Sequence, residues 1–143
     1  MDLTTRDGRL EDAAAIASLL TQLGYPCDYS DVEERIDRLQ IVGDRIVVAE
    51  VAGKVAGVAH LQVTPALERD APVARIGALV VDEALRGEGV GRVLVEAVEL
   101  EARLRGCELL YLTTSEHRDD ARAFYERLGL EPTGRRYSRT LTE

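Results

Sequence analysis

Residues 76–106 read IGALVVDEALRGEGVGRVLVEAVELEARLRG. Apolar residues run from 76 to 81, stop at Asp82-Glu83, pass three glycines spaced by two, and resume at helical intervals. The last part predicts a helix over 90–105, with Val90, Val93, Leu94, Ala97, Val98 and Leu104 as its apolar stripe and Gly106 closing it. Arg86-Gly87-Glu88-Gly89-Val90-Gly91-Arg92 thus lies between a strand and a helix. At such a junction the first helical N–H groups lack acceptors and the helix dipole is positive, so an anion is favoured there. Glycines let that anion reach the backbone without meeting a Cβ, and Arg86 and Arg92 add charge at the rim. The junction predicts a phosphate-bearing ligand.

Two common phosphate loops do not fit. There is no Gly-Lys-Ser/Thr, so the nucleoside-triphosphate loop fails. In the dinucleotide fingerprint the third glycine would fall on Arg92, and the five residues "DEALR" separate the glycines from their strand.

Upstream, a short strand is expected at 3–6. A helix is expected over 11–23 with Ile16, Leu19, Leu20 and Leu23 at helical spacing, ended by Gly24 and Pro26. A second helix is expected over 31–39 on Val32, Ile36 and Leu39, with Ser30 as its N-cap. Residues 46–51 and 55–63 read as a hairpin turning at Ala52-Gly53-Lys54, residues 64–72 as a polar loop, and 73–81 as a third long strand. Downstream come a strand over 108–114, a helix over 118–128 stopped by Gly129, and two short strands around Thr133-Gly134. The whole is one α/β domain, 1–143, with no internal repeat and no linker.

Composition narrows the function. At 143 residues, 45% hydrophobic and 31% charged, the chain has the character of a soluble globular domain. No apolar run reaches the length of a membrane span, and "MDLTTRDGRLED" has no apolar signal core, so a cytoplasmic protein with no membrane partner is expected. A net charge of −8 argues against nucleic acid as a partner. Cys27 and Cys107 lack metal-ligand spacing and His60 and His117 lie far apart, so no metal is expected.

"LVVDEALRGEGVGRVLV" resembles the acetyl-CoA loop of the GNAT superfamily of N-acetyltransferases, whose pattern Arg/Gln-x-x-Gly-x-Gly/Ala is met by Arg86, Gly89 and Gly91. "TTSEHRDDARAFYERLGL" is similar to the family's later Ala-x-x-Phe-Tyr-x-x-x-Gly stretch at Ala121, Phe124, Tyr125 and Gly129. Together with the order of elements, the resemblance covers nearly the whole chain. It implies a mixed, mostly antiparallel sheet of six to seven strands flanked by four helices, with splayed central strands.

The resemblance also implies roles. Backbone groups of Leu79, Val80 and Val81 would meet the pantetheine arm, and one N–H there would stabilise the thioester oxygen as it becomes an oxyanion. Arg86, Gly87, Gly89, Val90, Gly91 and Arg92 would hold the pyrophosphate, while Ser115, Ala121 and Phe124 complete the cofactor contacts. Ser115 stands where the nearest-looking relatives carry asparagine. The reaction implied is direct acetyl transfer from acetyl-CoA to an amine, with Tyr125 as the acid that protonates the leaving thiolate. Many relatives carry a basic glutamate on the strand before the glycine loop, but "VARIGALVV" has no acid at all. The role then falls to another residue or to a chain of waters, or the activity is altered; His60 is the first choice of base because an imidazole titrates near neutrality, ahead of Glu50, Glu116 and His117.

A small-molecule amine is the expected acceptor, met by the two N-terminal helices, the loop 64–72 and the tail. Asp28, Asp31, Glu33, Glu34, Glu68 and Asp70 are the acids placed to attract a cation there or to form a solvated face. A protein amine, or a non-catalytic acyl-CoA sensor of the same fold, are the alternatives. Family members often dimerise, which leaves a homodimer open.

Overall fold

The computed structural model describes residues 2–114 and 119–142. They fall into two compact units, Met1–Tyr111 and Leu112–Glu143.

The first unit is built on alternation. Strands β1 (Leu3–Asp7), β2 (Arg45–Val51), β3 (Lys54–Thr64), β4 (Val73–Val81) and β5 (Leu109–Tyr111) lie in that order in one sheet. Pairing is antiparallel from β1 to β4 and parallel between β4 and β5. Successive side chains on a strand point to opposite faces, so each central strand supplies both. Ile46 and Val48 of β2, Val58 of β3 and Val80 of β4 pack with helices α1 (Ala13–Leu23) and α2 (Tyr29–Ile41) through Ile16, Leu19, Val32 and Ile36.

The opposite face carries α3 (Val90–Leu104), which packs on β2, β3 and β4. Gly57 marks the closest approach: a Cβ there would lie 2.9 Å from Leu94 Cδ1 and 3.1 Å from Val90 Cγ1. Leu94 and Val98 are fully buried beneath the helix. Burial of a side chain of this size contributes roughly 1.5–3 kcal/mol.

The helix ends show local chemistry deciding the boundaries. Gly24 takes a left-handed φ of 108° to close α1. The N-cap of α2 is Asp28 rather than Ser30: its carboxylate accepts from Asp31 N, Asp31 Oδ2 accepts from Asp28 N, and Ser30 Oγ donates to Asp28. A serine at 30 is already inside the first turn. The stripe of α3 runs through Val90, Leu94, Val95, Val98 and Ala102, and Leu104 is exposed.

Two outcomes differ from expectation at the C-terminal side. β5 is paired over three residues only, and five strands stand where six or seven were expected, because 130–142 forms no strand among the described residues. A strand needs a partner edge as well as suitable residues, and exposed residues 131–142 show none. The mixed, mostly antiparallel sheet with four helices is as expected. In the second unit α4 (Asp119–Arg127) sets Phe124 against Tyr125, ring centroids 5.4 Å apart at 61°, and Leu130 N donates to Tyr125 O as the helix closes.

A partly buried ion pair ties β1 to the turn before α1. Arg6 donates two bonds of 2.8 Å to the two oxygens of Asp12 and one of 2.6 Å to Glu50 of β2. Asp12 also accepts from Arg9 N and is the one buried charged side chain among the described residues. The guanidinium holds the Asp12 carboxyl below its usual range, and the two carboxylates raise the Arg6 pKa. Glu50, weighed above as a base, is thus committed to a structural bond.

Candidate active site

The site begins where the β4–β5 ladder stops. β5 pairs with β4 only at Val73–Leu109, Ala74–Leu110 and Arg75–Tyr111. Two residues on, the β3–β4 ladder shifts register between His60 and Leu61, leaving Gly77 as the extra residue of a bulge. A bulge adds twist to its strand and terminates regular pairing. From 76 to 81, β4 has no strand partner on that edge among the described residues.

The antiparallel ladder fixes which peptide groups that edge presents. Asp82 N donates to Ala56 O at 2.8 Å, which makes this a hydrogen-bonded pair. Hydrogen-bonded and non-bonded pairs alternate, so Val80 and Ala78 turn their peptide groups toward β3 while Leu79 and Val81 turn theirs to the open edge. Val80 instead buries its side chain against α1 and α2. Of the three strand residues singled out in the sequence, Leu79 and Val81 have backbone groups available for a ligand.

The open edge leads into the glycine turn. Asp82 caps a short 3-10 turn, Glu83–Leu85, and Gln22 of α1 anchors that turn by accepting from Glu83 N. Gly87 and Gly89 then adopt φ of 83° and 88°, the left-handed region in which a side chain is strained. Among the described residues, nothing beyond the chain neighbours stands within 4 Å of where a Cβ would lie at either, so the space above the turn is open. Gly89 is the N-cap of α3 and offers no side-chain acceptor. The first bond of the helix runs from Val93 N to Gly89 O, leaving the N–H groups of Val90, Gly91 and Arg92 without intrahelical partners. Val90 is buried against the sheet and holds the turn down, while Arg86 and Arg92 are exposed beside it. The arrangement is a backbone cradle for an anion, continuous with a strip of unpaired strand backbone.

His60 lies one strand away, paired with Ala78 of β4 and on the same sheet face as Val58. Its Nε2 is 2.8 Å from Asp44 Oδ2, and both side chains are largely buried. Its Nδ1 looks at Gly77: a Cβ on Gly77 would sit 2.6 Å from that nitrogen. Neither Asp44 nor Gly77 was identified from the sequence. A glycine inside a strand pattern was the one signal available, since it marks a bulge or a close approach.

Tyr125, Ala121 and Phe124 all sit on α4 of the second unit, where Phe124 and Tyr125 are half-buried. Ser115, with Glu116, His117 and Arg118, lies outside the described residues. Asp28 and Asp31 are spent on the α2 cap. A depression of about 470 Å³ at the other end of α3 is lined by Asp7, Asp44, Arg45, Glu101 and Arg105, whose charges largely pair with one another. Among the described residues no group of three His, Cys, Asp or Glu side chains is placed to hold a metal ion.

This architecture has known counterparts. An acetyltransferase of Trypanosoma brucei is 28% identical and superposes with a TM-score of 0.84, covering 98% of this chain and all of that one. Glucosamine-6-phosphate N-acetyltransferase from Arabidopsis thaliana gives the same TM-score of 0.84 at 22% identity, covering 99% of this chain and 100% of that one, a likeness of fold alone. The aminoalkylphosphonate N-acetyltransferase of Salmonella typhimurium is 35% identical over 89 residues, which is 62% of this chain. The match spans 58% of that relative's length. The family model for "Acetyltransferase (GNAT) family" matches residues 14–130, and the chain therefore belongs to that family.

Proposed function

We propose that the protein is an acetyl-CoA-dependent N-acetyltransferase acting on the primary amine of a small molecule. The observation that carries this reading is the continuity of two backbone features, the unpaired edge of β4 at Leu79 and Val81 and the open cradle at Gly87–Arg92. The first suits a ligand that is an extended chain with amide groups, and the second suits its phosphates. A CoA thioester has both. The open space at Gly87 and Gly89 suits phosphates by size, and the three N–H groups without intrahelical partners suit them by charge.

A simple alkylamine has a pKa of about 10 and arrives protonated. His60 takes that proton, the nitrogen attacks the thioester carbon, and the C–N bond forms as the C–S bond breaks. A peptide N–H at the open edge of β4 stabilises the carbonyl oxygen as negative charge develops on it. Tyr125 gives the departing sulfur a proton and regains one from the acylated nitrogen. A phenol near pKa 10 and a thiol near 8.5 are close enough for that exchange. The identity with an aminoalkylphosphonate N-acetyltransferase supports a small aliphatic amine over a protein amine as acceptor.

The test is thiol release from acetyl-CoA against a panel of amines that includes aminoalkylphosphonates, polyamines, aminoglycosides and an N-terminal peptide. Turnover with a small amine is expected. Stoichiometric acetyl-CoA binding with no thiol release from any amine would replace this reading with that of an acyl-CoA sensor.

A further inference from the structure

We infer that Asp44 and Gly77 form, with His60, a composite base: Asp44 fixes the imidazole tautomer and Gly77 provides the notch into which its basic nitrogen opens. The inference rests on the acetyltransferase reading above and deepens it. An ionised carboxylate only accepts hydrogen bonds, so the 2.8 Å contact between His60 Nε2 and Asp44 Oδ2 requires the proton on Nε2. In the neutral ring the lone pair is then on Nδ1. That nitrogen faces Gly77, and the 2.6 Å separation from a hypothetical Cβ shows that any side chain at 77 would occupy its place.

Gly77 is exposed, whereas Ile76 and Val80 on the same strand are buried and Ala78 is half-buried. The notch thus reaches solvent at the bulge where β4 loses β5 as a partner. Two residues further on lies Leu79, whose peptide groups face the open edge. Nδ1 is therefore presented beside the stretch of β4 to which the thioester is assigned. This also accounts for the strand without an acid: the bulge residue has no side chain, and a ring from the neighbouring strand takes the space above it. Asp44 reaches the ring from the α2–β2 connection and borders the depression lined by Arg45 and Arg105. Asp44 acts through His60 and is a positioning residue.

The step balances without a further reactant. The ammonium proton moves to His60 Nδ1, the ring becomes a cation opposite the Asp44 carboxylate, and the proton returns to water after transfer. No electron changes hands.

Two measurements test the inference. The first does not depend on activity: the chain has two histidines, so a long-range proton–nitrogen correlation spectrum of the imidazoles is readily assigned with His60→Gln. In the wild-type protein, at a pH where the ring is neutral, His60 should be the Nε2–H tautomer. Asp44→Asn should abolish that preference, because a carboxamide can donate to Nε2. A wild-type ring protonated on Nδ1 would overturn the inference.

The second compares turnover. His60→Gln should lower kcat about 100-fold, Gly77→Ala about 10- to 30-fold and Asp44→Asn about tenfold, with the KM for acetyl-CoA unchanged. Gly77→Ala removes no ionisable group, so its loss of kcat isolates the notch. Wild-type kcat in either His60→Gln or Gly77→Ala would refute the composite base. Acetyl-CoA titration of each variant reports folding and the cofactor reading separately, so failure of that reading is distinguishable from failure of this one.

Discussion

The glycine turn follows the end of β4 and the His60 notch opens at its bulge, and the two are built in opposite ways. The turn is contiguous, residues 86–92, and presents backbone: two left-handed glycines, three N–H groups without intrahelical partners and a helix end. The notch is assembled from Asp44, His60 and Gly77, three segments brought together by strand register, and presents one side-chain nitrogen. On the proposed reading, the cradle holds the acyl donor and the side-chain notch serves the step in which the acceptor takes part. Binding and turnover should therefore separate by mutation.

Gly89→Asp should break the first region with the largest effect. It sets a carboxylate in the anion's space at a φ of 88° and should weaken acetyl-CoA binding by at least about 100-fold, through like-charge repulsion together with backbone strain. Among the described residues nothing beyond its chain neighbours lies within 4 Å of where its Cβ would stand, so the fold should persist. Calorimetry and circular dichroism read the two outcomes.

Tyr125→Phe should sharpen the comparison from the other side. Removal of the proposed acid is expected to lower kcat about 30- to 100-fold while leaving the dissociation constant for acetyl-CoA within about twofold. Gly77→Ala should follow the same pattern with a smaller loss. A variant that lost binding and turnover in parallel would merge the two regions into one.

The smallest effect concerns a carboxylate that is used for structure. Asp12 is held below its usual pKa by Arg6, so it contributes stability that is present above its unfolded pKa of about 3.9 and is lost as pH falls through its lower folded value. Stability of the wild-type chain should therefore decline below about pH 4. Asp12→Asn should cost about 1–2 kcal/mol at neutral pH and flatten that acid limb, as chemical denaturation at several pH values would show. Acetyl-CoA affinity should not change.

What was legible in the sequence follows the same division. The glycine turn and helix α3 could be read because every residue involved lies within one helical or turn period of the next. The order of elements and the three central strands were equally plain from alternation and turn residues. The cap of α2 was misread by two positions because Asp28 and Ser30 are both good caps, and the reciprocal Asp28–Asp31 bonds decide between them. The full length of β5 and the tail strands were over-read because side-chain pattern does not reveal whether a backbone edge has a partner. His60 was named for its chemistry alone. Its tie to Asp44, 16 residues away, and its place above Gly77 depend on the loop after α2 and on a one-residue bulge, neither of which leaves a periodic trace.

The central claim is that the open β4 edge and the glycine turn hold a CoA thioester. Calorimetric titration of acetyl-CoA into the wild-type chain and into Gly89→Asp, side by side, tests it most directly. One-to-one saturable binding that disappears in the variant is the predicted result. Equal affinity in both proteins, or no binding to the wild type at millimolar ligand, would contradict it.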